Sequence, residues 1–322
     1  MIITRTPFRV SFMGGGSDFR DFYNKNGYGA VVSAAIDRYM YIVIHPYFHD
    51  KIRIKYSKTE DVERLADINH PLVRECLKKV EVEKGIEIAS FADVPAGTGL
   101  GSSSAFTVGL LHALYVYKGK SVSKEKLAQE ACEIEIDILG EPIGKQDQYA
   151  SAYGNINYFK FKKDETVEVC PIPVKQEVED KLKRDFCLYY TGRMRQARDI
   201  LIEQKNNIAD RDKFVVLRKM LGLTQELKEI FQKEEIDRIG SFLHRGWLYK
   251  KELAEGISNS GVDEFYNKSL QYGAVGGKLL GAGGGGFLLL YSLDHASLKK
   301  KLGCKTLPFN IDKEGTKILF NG

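Results

Sequence analysis

The chain of 322 residues is too long for one ordinary hydrophobic core and suits two domains. Hydrophobic residues make up 43% and charged residues 28%, a globular balance that excludes long disordered segments. The net charge of +5 is mild and is not gathered into a basic run, so we expect an anionic small-molecule substrate and no nucleic-acid partner.

The cysteines and the first residues indicate the compartment. The five cysteines are scattered singly, without a CxxC pair or a Cys/His pair at metal-ligand spacing. The opening MIITRTPFRV lacks the basic region, apolar run and small-residue cleavage site of a signal peptide, and no apolar stretch is long enough to span a bilayer. We therefore expect a soluble, cytoplasmic protein without a membrane partner. The oligomeric state is left open, with a homodimer as one option.

The first half of the chain is predicted to contain short β-segments followed by helices. Residues 39–48 are rich in aromatic and β-branched types, residues 51–56 alternate, and the junction between them is suited to a hairpin turn. Another alternating run, residues 86–92, leads into a glycine-rich loop. Residues 103–117 are apolar enough for a buried helix, and residues 124–139 predict a second helix.

The second half begins after a candidate domain boundary. A strand is predicted at residues 155–161, and the charged, proline-containing stretch 164–180 favours a boundary, which gives domains 1–175 and 176–322. Beyond it come a strand at 186–191, long charged helical patterns from about 195 to 257, and a glycine turn, GAGGGG, before a buried strand at 287–291. The predicted class is α+β in two domains.

The stretch PAGTGLGSSSA, residues 95–105, joins a predicted strand to a predicted helix. This arrangement presents free backbone N–H groups and the positive end of the helix dipole to a phosphate. A Rossmann fingerprint would need a second strand with an acidic end about 20 residues later, where the sequence is helical. A P-loop would need a lysine at Ser103. A plain turn is the remaining alternative, although three glycines and three serines exceed what a turn needs.

Two carboxylates downstream are candidates for chemistry. A serine at a helix start can offer its hydroxyl to Mg²⁺, but such a metal also needs a carboxylate. Glu135 falls inside the apolar stripe of its helix, whereas Glu130, Glu133 and Asp137 fall on the polar side. A buried glutamate is costly unless it is paired or bound to a cation, so Glu135 is either a metal ligand or half of an interior ion pair. Asp147, in the loop GKQDQ, is either a capped turn or a general base.

Three stretches in chain order resemble the GHMP small-molecule kinases, the superfamily of galactokinase, mevalonate kinase and homoserine kinase. They are TPFRVSFMGGGSDF at residues 6–19, the loop PAGTGLGSSSA, and KLLGAGGGG at residues 278–286, so the resemblance covers nearly the whole chain. It implies an N-terminal domain like domain 2 of ribosomal protein S5, a ferredoxin-like C-terminal domain, a site in the cleft between them, and ATP and Mg²⁺ as cofactors.

The resemblance also implies roles for single residues. Asp147 matches the catalytic aspartate, and Arg9 matches the arginine that keeps it ionised. Ser103 and Glu135 match the Mg²⁺ ligands, while Ser104 is expected to serve packing. The residues expected to hold ATP are Pro95, Gly97, Thr98, Gly99, Leu100, Gly101, Ser102 and Ser103. Those expected to contact the substrate are Gly15, Gly16, Ser17, Asp18, Gly283 and Gly284.

One departure from the galactokinase pattern points to a branch of the superfamily. Galactokinases carry a glutamate and a histidine where this chain has Gly15 and Gly16, so side-chain contacts to galactose are missing. The GGGSD version resembles the D-glycero-D-manno-heptose 7-phosphate kinases and related fucokinases, which phosphorylate an anomeric hydroxyl, and YTGRMRQARDIL at residues 190–201 also favours the heptose branch. The expected reaction converts D-glycero-D-manno-heptose 7-phosphate to the 1,7-bisphosphate, for nucleotide-activated heptose in surface polysaccharide.

Two alternatives stay open. One is a fucokinase-like or other sugar-1-kinase of the same superfamily, and the other is a catalytically silent sensor that binds sugar and ATP. A sugar phosphate also needs a pocket for its own phosphate. Candidates for this pocket are Lys145, Arg193 and Arg195, because basic side chains, arginine above all, bind phosphate. The simpler explanation is that they are ordinary surface cations.

Overall fold

Two β-sheets organise the chain in the computed structural model, which describes residues 1–192 and 198–322. The larger sheet contains β1 (Ile2–Met13), β2 (Tyr28–Pro46), β3 (Ile52–Lys55), β4 (Thr59–Val62), β5 (Ile86–Ala92), β6 (Ile156–Lys162), β7 (Val167–Pro171) and the last strand, β12 (Lys317–Asn321). The smaller sheet contains β8 (Phe186–Tyr190), β9 (Gly276–Leu279), β10 (Phe287–Tyr291) and β11 (Thr306–Leu307).

The helices cover these sheets. They are α1 (Arg20–Asn26), α2 (Pro71–Val80), α3 (Ser102–Tyr117), α4 (Lys124–Cys132), α5 (Gln146–Tyr153), α6 (Gln176–Asp185), α7 (Arg198–Asn206), α8 (Arg211–Gln232), α9 (Ile239–Lys251), α10 (Ser260–Gln271) and α11 (His295–Leu302). Helix α3 carries no Lys, Arg, Asp or Glu and is buried on nearly every side, because it packs between β1 and β2 and helices α2, α4 and α5. Within the described residues, no helix has the length and apolar character that crossing a membrane requires.

Strand β2 is the centre of the larger sheet. It pairs with β1 on one side, while on the other side its first half pairs with β6 and its second half with β5. Strand β3 runs parallel to β5 and antiparallel to β4. The hairpin predicted between residues 39–48 and 51–56 is therefore wrong, because β5 lies between β2 and β3 in the sheet. The strands predicted at 86–92, 155–161, 186–191 and 287–291 are confirmed.

The predicted domain boundary falls where the chain leaves the larger sheet. Strand β7 lies inside the proline-containing stretch, and the chain enters the smaller sheet at β8, after α6. Strand β12 then returns to the larger sheet and pairs antiparallel with β1. The last strand thus belongs to the same sheet as residues 1–175. The division into domains 1–175 and 176–322 stays a prediction.

The helix predicted over residues 124–139 changes its winding midway. Helix α4 ends at Cys132, and residues Glu133–Ile138 form a π-helical turn, in which the Leu139 N–H donates to the Ile134 carbonyl oxygen (3.0 Å). The extra residue in the turn rotates the following side chains, and the apolar Ile138, three residues after Glu135, is 49% exposed. Glu130, expected in solvent, is buried and accepts hydrogen bonds from the Tyr115 hydroxyl.

Candidate active site

A cavity of about 280 Å³ lies where the end of β1, the glycine loop, the loop before α5 and segments of the second half of the chain meet. Its walls include Arg9, Asp18, Ser103, Asp147 and Gly281. The cavity thus collects most of the motifs that the sequence singles out, although they are far apart along the chain.

The glycine loop turns β5 into α3 and exposes the start of the helix. Gly101 is the N-cap residue, with φ of +76° and no side-chain hydrogen bond within the described residues, so it leaves the first helical N–H groups open. At Gly99, which has φ of +84°, an added Cβ would lie 2.6 Å from the Leu280 carbonyl oxygen, so only glycine fits there. Five of the residues expected to hold ATP line the cavity, namely Gly97, Gly99, Gly101, Ser102 and Ser103.

The other three predicted ATP residues shape the loop. The Thr98 hydroxyl donates to the Pro95 carbonyl oxygen (2.9 Å), and the Leu100 carbonyl oxygen accepts from the Arg9 N–H (3.0 Å). Strand β1 thereby holds the glycine loop in place.

Arg9 and Asp147 form a two-point ion pair at the cavity wall. Arg9 Nε donates to Asp147 Oδ1 (2.7 Å) and Arg9 Nη2 to Asp147 Oδ2 (2.6 Å), while Arg9 Nη1 donates to the Gly99 carbonyl oxygen (2.6 Å). Arg9 is buried, whereas the Asp147 side chain is 22% exposed. A carboxylate that is fixed in this way, beside a loop of free N–H groups, is placed to accept a proton from a bound hydroxyl.

Asp18 lies in the same cavity, close to Gly15 and Gly16. Its carboxylate accepts from the Gly16 N–H (2.8 Å) and the Gln146 N–H (3.3 Å). Burial and, to a smaller extent, the charge of Asp147 raise the pKa of Asp18 to about 6, against the hydrogen bonds to it. Asp18 is therefore mainly ionised at neutral pH and accepts hydrogen bonds, and it can donate one only where it is protonated.

Glu135 is buried, as its position in the apolar stripe predicts, but its partners are neutral. Its carboxylate accepts from the Ser104 hydroxyl (2.7 Å), the Thr107 hydroxyl (2.7 Å) and the Gln148 amide. No lysine or arginine of the described residues pairs with it, so the interior ion pair is excluded within that part of the chain. The expectation that Ser104 only packs is wrong, because its hydroxyl faces Glu135.

Comparison with known proteins identifies the architecture around this cavity. The model for the GHMP kinases N-terminal domain matches residues 70–155, and the model for the GHMP kinases C-terminal domain matches residues 227–302. The chain belongs to the GHMP kinase family. This membership confirms the two-domain fold class that the sequence predicts.

Individual relatives agree with the family. The chain is 29% identical to a D-glycero-alpha-D-manno-heptose 7-phosphate kinase of Campylobacter jejuni, over 98% of both chains. It is 26% identical to a galactokinase of Pyrococcus furiosus, over 92% of this chain and 90% of the relative. The crystal structure of a D-glycero-D-manno-heptose 1-phosphate kinase from Bacteroides thetaiotaomicron superposes with a TM-score of 0.79 over 100% of both chains, at 22% identity. These matches confirm the ATP-dependent sugar phosphotransferase that the sequence predicts.

The residues of this GHMP kinase fit a hard cation such as Mg²⁺. Ser103 is exposed in the cavity, and Glu135 uses three of its roughly four acceptor positions. Burial raises the pKa of Glu135 to about 7, against its hydrogen bonds, and the charge of Asp147 adds to the rise, so a cation near both carboxylates would offset their repulsion. The described residues contain no cluster of three or more potential metal-ligating His, Cys, Asp or Glu side chains, so phosphate oxygens and water would have to complete the coordination.

Some predicted substrate contacts lie elsewhere. The Ser17 hydroxyl is buried and donates to the carbonyl oxygens of Gly14 (2.8 Å) and Ala30 (2.7 Å), so it holds the turn and does not face the cavity. Gly284 packs on the chain after α9, where its N–H donates to the Ile257 carbonyl oxygen (2.9 Å). From this glycine motif, Gly281 and Ala282 line the cavity, and Gly283 and Gly284 do not.

The candidates for binding a substrate phosphate have a mixed outcome. The Lys145 ammonium donates to the Glu165 carboxylate and to the Glu165 carbonyl oxygen (3.2 Å), and it is absent from the cavity wall, so it does not face a ligand there. The pairing with Glu165 does not support the expected role of Lys145 as a phosphate ligand, which stays a prediction. Arg193 and Arg195 lie outside the described residues.

The sequence interpretation missed several cavity residues. Buried Ser11 Oγ and Gln146 Oε1 have no hydrogen-bond partner in the described part of the chain, although both residues line the cavity. Gln204 lies beside Gly16, and Lys250 and Lys278 line another part of the wall. A lysine within the run VGGKLL was a usable signal for Lys278, but nothing local distinguishes Lys250 from its neighbour Lys251.

Proposed function

We propose that this GHMP kinase transfers the γ-phosphoryl group of ATP to the anomeric hydroxyl of D-glycero-D-manno-heptose 7-phosphate and so forms the 1,7-bisphosphate. The similarity to the Campylobacter jejuni heptose 7-phosphate kinase, which spans 98% of both chains, supports this substrate. An anomeric phosphate is the group that a nucleotidyltransferase would need. The product therefore suits nucleotide-activated heptose synthesis for surface polysaccharide.

The observation that carries the proposal is the polar part of the cavity next to the Arg9–Asp147 pair. Ser11 Oγ and Gln146 Oε1 have no hydrogen-bond partner among the described residues, and the Asp18 carboxylate, which two backbone N–H groups hold in place, lies in the same cavity. Buried polar atoms are normally paired, so unpaired ones that line a cavity favour a ligand rich in hydroxyl groups. An added Cβ at Gly15 would point between Gln146 and Ser11, at 3.4 and 3.8 Å from their side-chain atoms, so the glycine leaves this space to the substrate.

The reaction follows from this placement. Asp147, held by Arg9, would accept the proton of the anomeric hydroxyl while that oxygen forms a bond to the γ-phosphorus. The bond from the γ-phosphorus to the bridging oxygen breaks, and ADP leaves with that oxygen. The open N–H groups of the glycine loop, at the start of α3, would bind the ATP phosphates. Mg²⁺, held by Ser103 and Glu135, would supply further neutralisation of phosphate charge.

A substrate panel tests the assignment. The purified protein is supplied with ATP and Mg²⁺ and with heptose 7-phosphate, the unphosphorylated heptose, fucose, galactose or mannose, and ADP release is measured. We expect the highest kcat/KM with heptose 7-phosphate and a new anomeric phosphate by ³¹P NMR. A higher kcat/KM with fucose or another free sugar would favour the other sugar-1-kinases. Nucleotide and sugar binding without any ADP release would favour the sensor.

A further inference from the structure

Two lysines of the cavity wall have no role in the mechanism above. Lys250, in α9, and Lys278, in β9, are 6% and 4% exposed, and both line the cavity. Lys250 Nζ donates to the carbonyl oxygens of Leu279 (3.3 Å) and Gly281, and Lys278 Nζ donates to that of Phe12 (3.3 Å). Across residues 1–192 and 198–322, neither ammonium forms an ion pair with a carboxylate. A buried ammonium without a counter-ion is costly, which calls for an explanation.

The surroundings of the two lysines are short of negative charge. Arg9 lines the same cavity and its charge acts on both lysines, while both oxygens of Asp147 already accept from Arg9. Burial, with a smaller contribution from Arg9, lowers the pKa of Lys250 to about 7. Burial, Lys250 and Arg9 lower the pKa of Lys278 well below its usual range, against the charge of Asp18. An anion that enters this part of the cavity would therefore meet three basic groups and two carboxylates, of which Asp147 is committed to Arg9.

The position of Lys250 indicates which anion this is. Its ammonium contacts the Gly281 carbonyl oxygen, and an added Cβ on Gly281 would lie 2.6 Å from Gly99 Cα, in the glycine loop. The carbonyl oxygen of Gly99 is also the one that Arg9 holds. Lys250 thus lies beside the meeting point of the glycine loop and the Arg9–Asp147 pair. If the glycine loop binds the ATP phosphates and Asp147 the acceptor hydroxyl, the phosphoryl group is transferred next to this point.

We propose that Lys250, supported by Lys278, binds the oxygens of the phosphoryl group while ATP transfers it to the acceptor. The interaction strengthens as the bridging bond breaks, because negative charge then spreads over the phosphoryl and leaving-group oxygens. The arriving phosphate also stabilises the charged form of Lys250, so nucleotide binding is accompanied by uptake of a proton from solvent. The proposal depends on the kinase activity and not on which sugar is the acceptor.

The first experiment measures this proton without any sugar. The Mg²⁺ complex of the non-hydrolysable ATP analogue AMPPNP is titrated into wild-type protein and into Lys250→Met at pH 7.5, by calorimetry in two buffers of different ionisation enthalpy. With a pKa of about 7, Lys250 is about three quarters neutral at this pH, so the variant should take up about 0.7 fewer protons per nucleotide. Equal proton numbers would overturn the proton uptake by Lys250, and the kinetic experiment below tests its contact with the phosphoryl group.

The neighbouring groups and a matched control make the difference interpretable. Two cations face Lys250, namely Arg9 of β1 and Lys278 of β9. Asp147 lies beyond Arg9, and Asp18 lies beyond Lys278. All four groups remain in the variant. The buried side chains of α8, which packs on α9, include no ionisable group. Lys251→Met is the control, because Lys251 pairs with Asp263 (3.2 Å) and does not line the cavity. It should leave the proton number and the turnover at their wild-type values.

The second experiment distinguishes two possible roles of Lys250, namely contact with the phosphoryl group of ATP and contact with a phosphate on the acceptor. For Lys250→Met we expect kcat to fall about 10²-fold with phosphorylated and unphosphorylated acceptors alike, and a similar loss in slow ATP hydrolysis by water. A rise in KM confined to the phosphorylated acceptor would instead assign Lys250 to the substrate's own phosphate and overturn the proposal. A change in Tm alone would overturn it as well. Lys250→Gln serves as a second neutral variant, because its amide N–H groups keep donors near the carbonyl oxygens of Leu279 and Gly281 if Lys250→Met fails to fold.

Discussion

Asp147 and Glu135 are the two carboxylates that the sequence singles out for the reaction, yet only Asp147 lines the cavity, and the chain treats them in opposite ways. Asp147 is partly exposed and is held at both oxygens by the Arg9 guanidinium. Glu135 is 1% exposed and is surrounded by two hydroxyl groups and an amide. The counter-charge of Asp147 is thus built into the fold, whereas no lysine or arginine of residues 1–192 and 198–322 pairs with Glu135. This difference fits a general base at Asp147 and a cation ligand at Glu135.

The largest expected effect is on the base. Asp147→Asn should leave ATP and sugar binding nearly intact and lower kcat by about 10²-fold or more, because an amide cannot accept the proton. Steady-state ADP release measures kcat, and equilibrium titrations measure the binding of ATP and of the sugar. Asp137→Asn is the matched control, since Asp137 pairs with Arg20 (2.7 Å) outside the cavity. Wild-type turnover of Asp147→Asn would remove Asp147 as the base.

The cation at Glu135 is tested through metal dependence. Glu135→Ala should raise the Mg²⁺ concentration needed for half-maximal activity by about 10-fold or more, because one carboxylate ligand is lost. Glu130→Ala provides the comparison, since Glu130 is a buried glutamate of α4 that bonds to Tyr115, whereas Glu135 bonds to Ser104, the neighbour of the predicted metal ligand Ser103. An Mg²⁺ titration of ATP turnover gives both values. An unchanged Mg²⁺ requirement in Glu135→Ala would leave Glu135 as a purely structural group.

The raised pKa of Glu135 also predicts a pH dependence of stability. Its pKa rises from 4.5 to about 7 on folding, so the folded state binds more protons than the unfolded state between these values, and this contribution to stability decreases as the pH rises. Between pH 5 and pH 7, without Mg²⁺, wild type should lose about 2 kcal/mol relative to Glu135→Gln. Urea unfolding of both proteins at pH 5 and pH 7 measures this difference in unfolding free energy. Parallel pH profiles would contradict the shift, and Mg²⁺ should reduce the difference at pH 7.

The two adjacent serines sharpen the comparison further. Ser104→Ala removes a hydrogen bond to the buried Glu135 carboxylate and should cost about 1–3 kcal/mol of unfolding free energy. Ser103→Ala should change stability by less than about 0.5 kcal/mol, because Ser103 is exposed, but should raise the Mg²⁺ requirement. Denaturant unfolding and Mg²⁺ titration of both variants decide the assignment. Equal stability losses would show that the two side chains are not distinguished in this way.

The smallest effect is expected at Lys145. Because its ammonium is committed to Glu165 outside the cavity, Lys145→Met should leave the ratio of kcat/KM for phosphorylated and unphosphorylated sugar within about 2-fold of wild type. The same ratio, measured for Arg193→Ala and Arg195→Ala, tests the other two candidates for the substrate phosphate. A selective loss of the phosphorylated substrate in Lys145→Met would show that the lysine leaves Glu165 when substrate binds.

The sequence by itself determined the parts of this protein that depend on local pattern. The strand, glycine loop and helix around residues 95–105 were predictable, because glycine spacing and apolar character act over a few neighbours. The burial of Glu135 followed from helical periodicity, and the three family motifs led to the fold class. Asp147 and Arg9 were expected to lie together only through the family resemblance, since 138 residues separate them.

Tertiary structure alone decided which side chains meet. Adjacent residues on a helix point about 100° apart, so helix packing gave Glu135 the hydroxyl of Ser104 and left Ser103 to the cavity. The π-helical turn after α4 changed which side chains are buried. Glu130 is buried because the hydroxyl of Tyr115 donates to it, and Lys145 forms an ion pair with Glu165. Lys250 and Lys278 became neighbours because α9 packs against β9. Each of these outcomes depends on a partner distant in sequence or on the exact direction of a side chain, which no local pattern encodes.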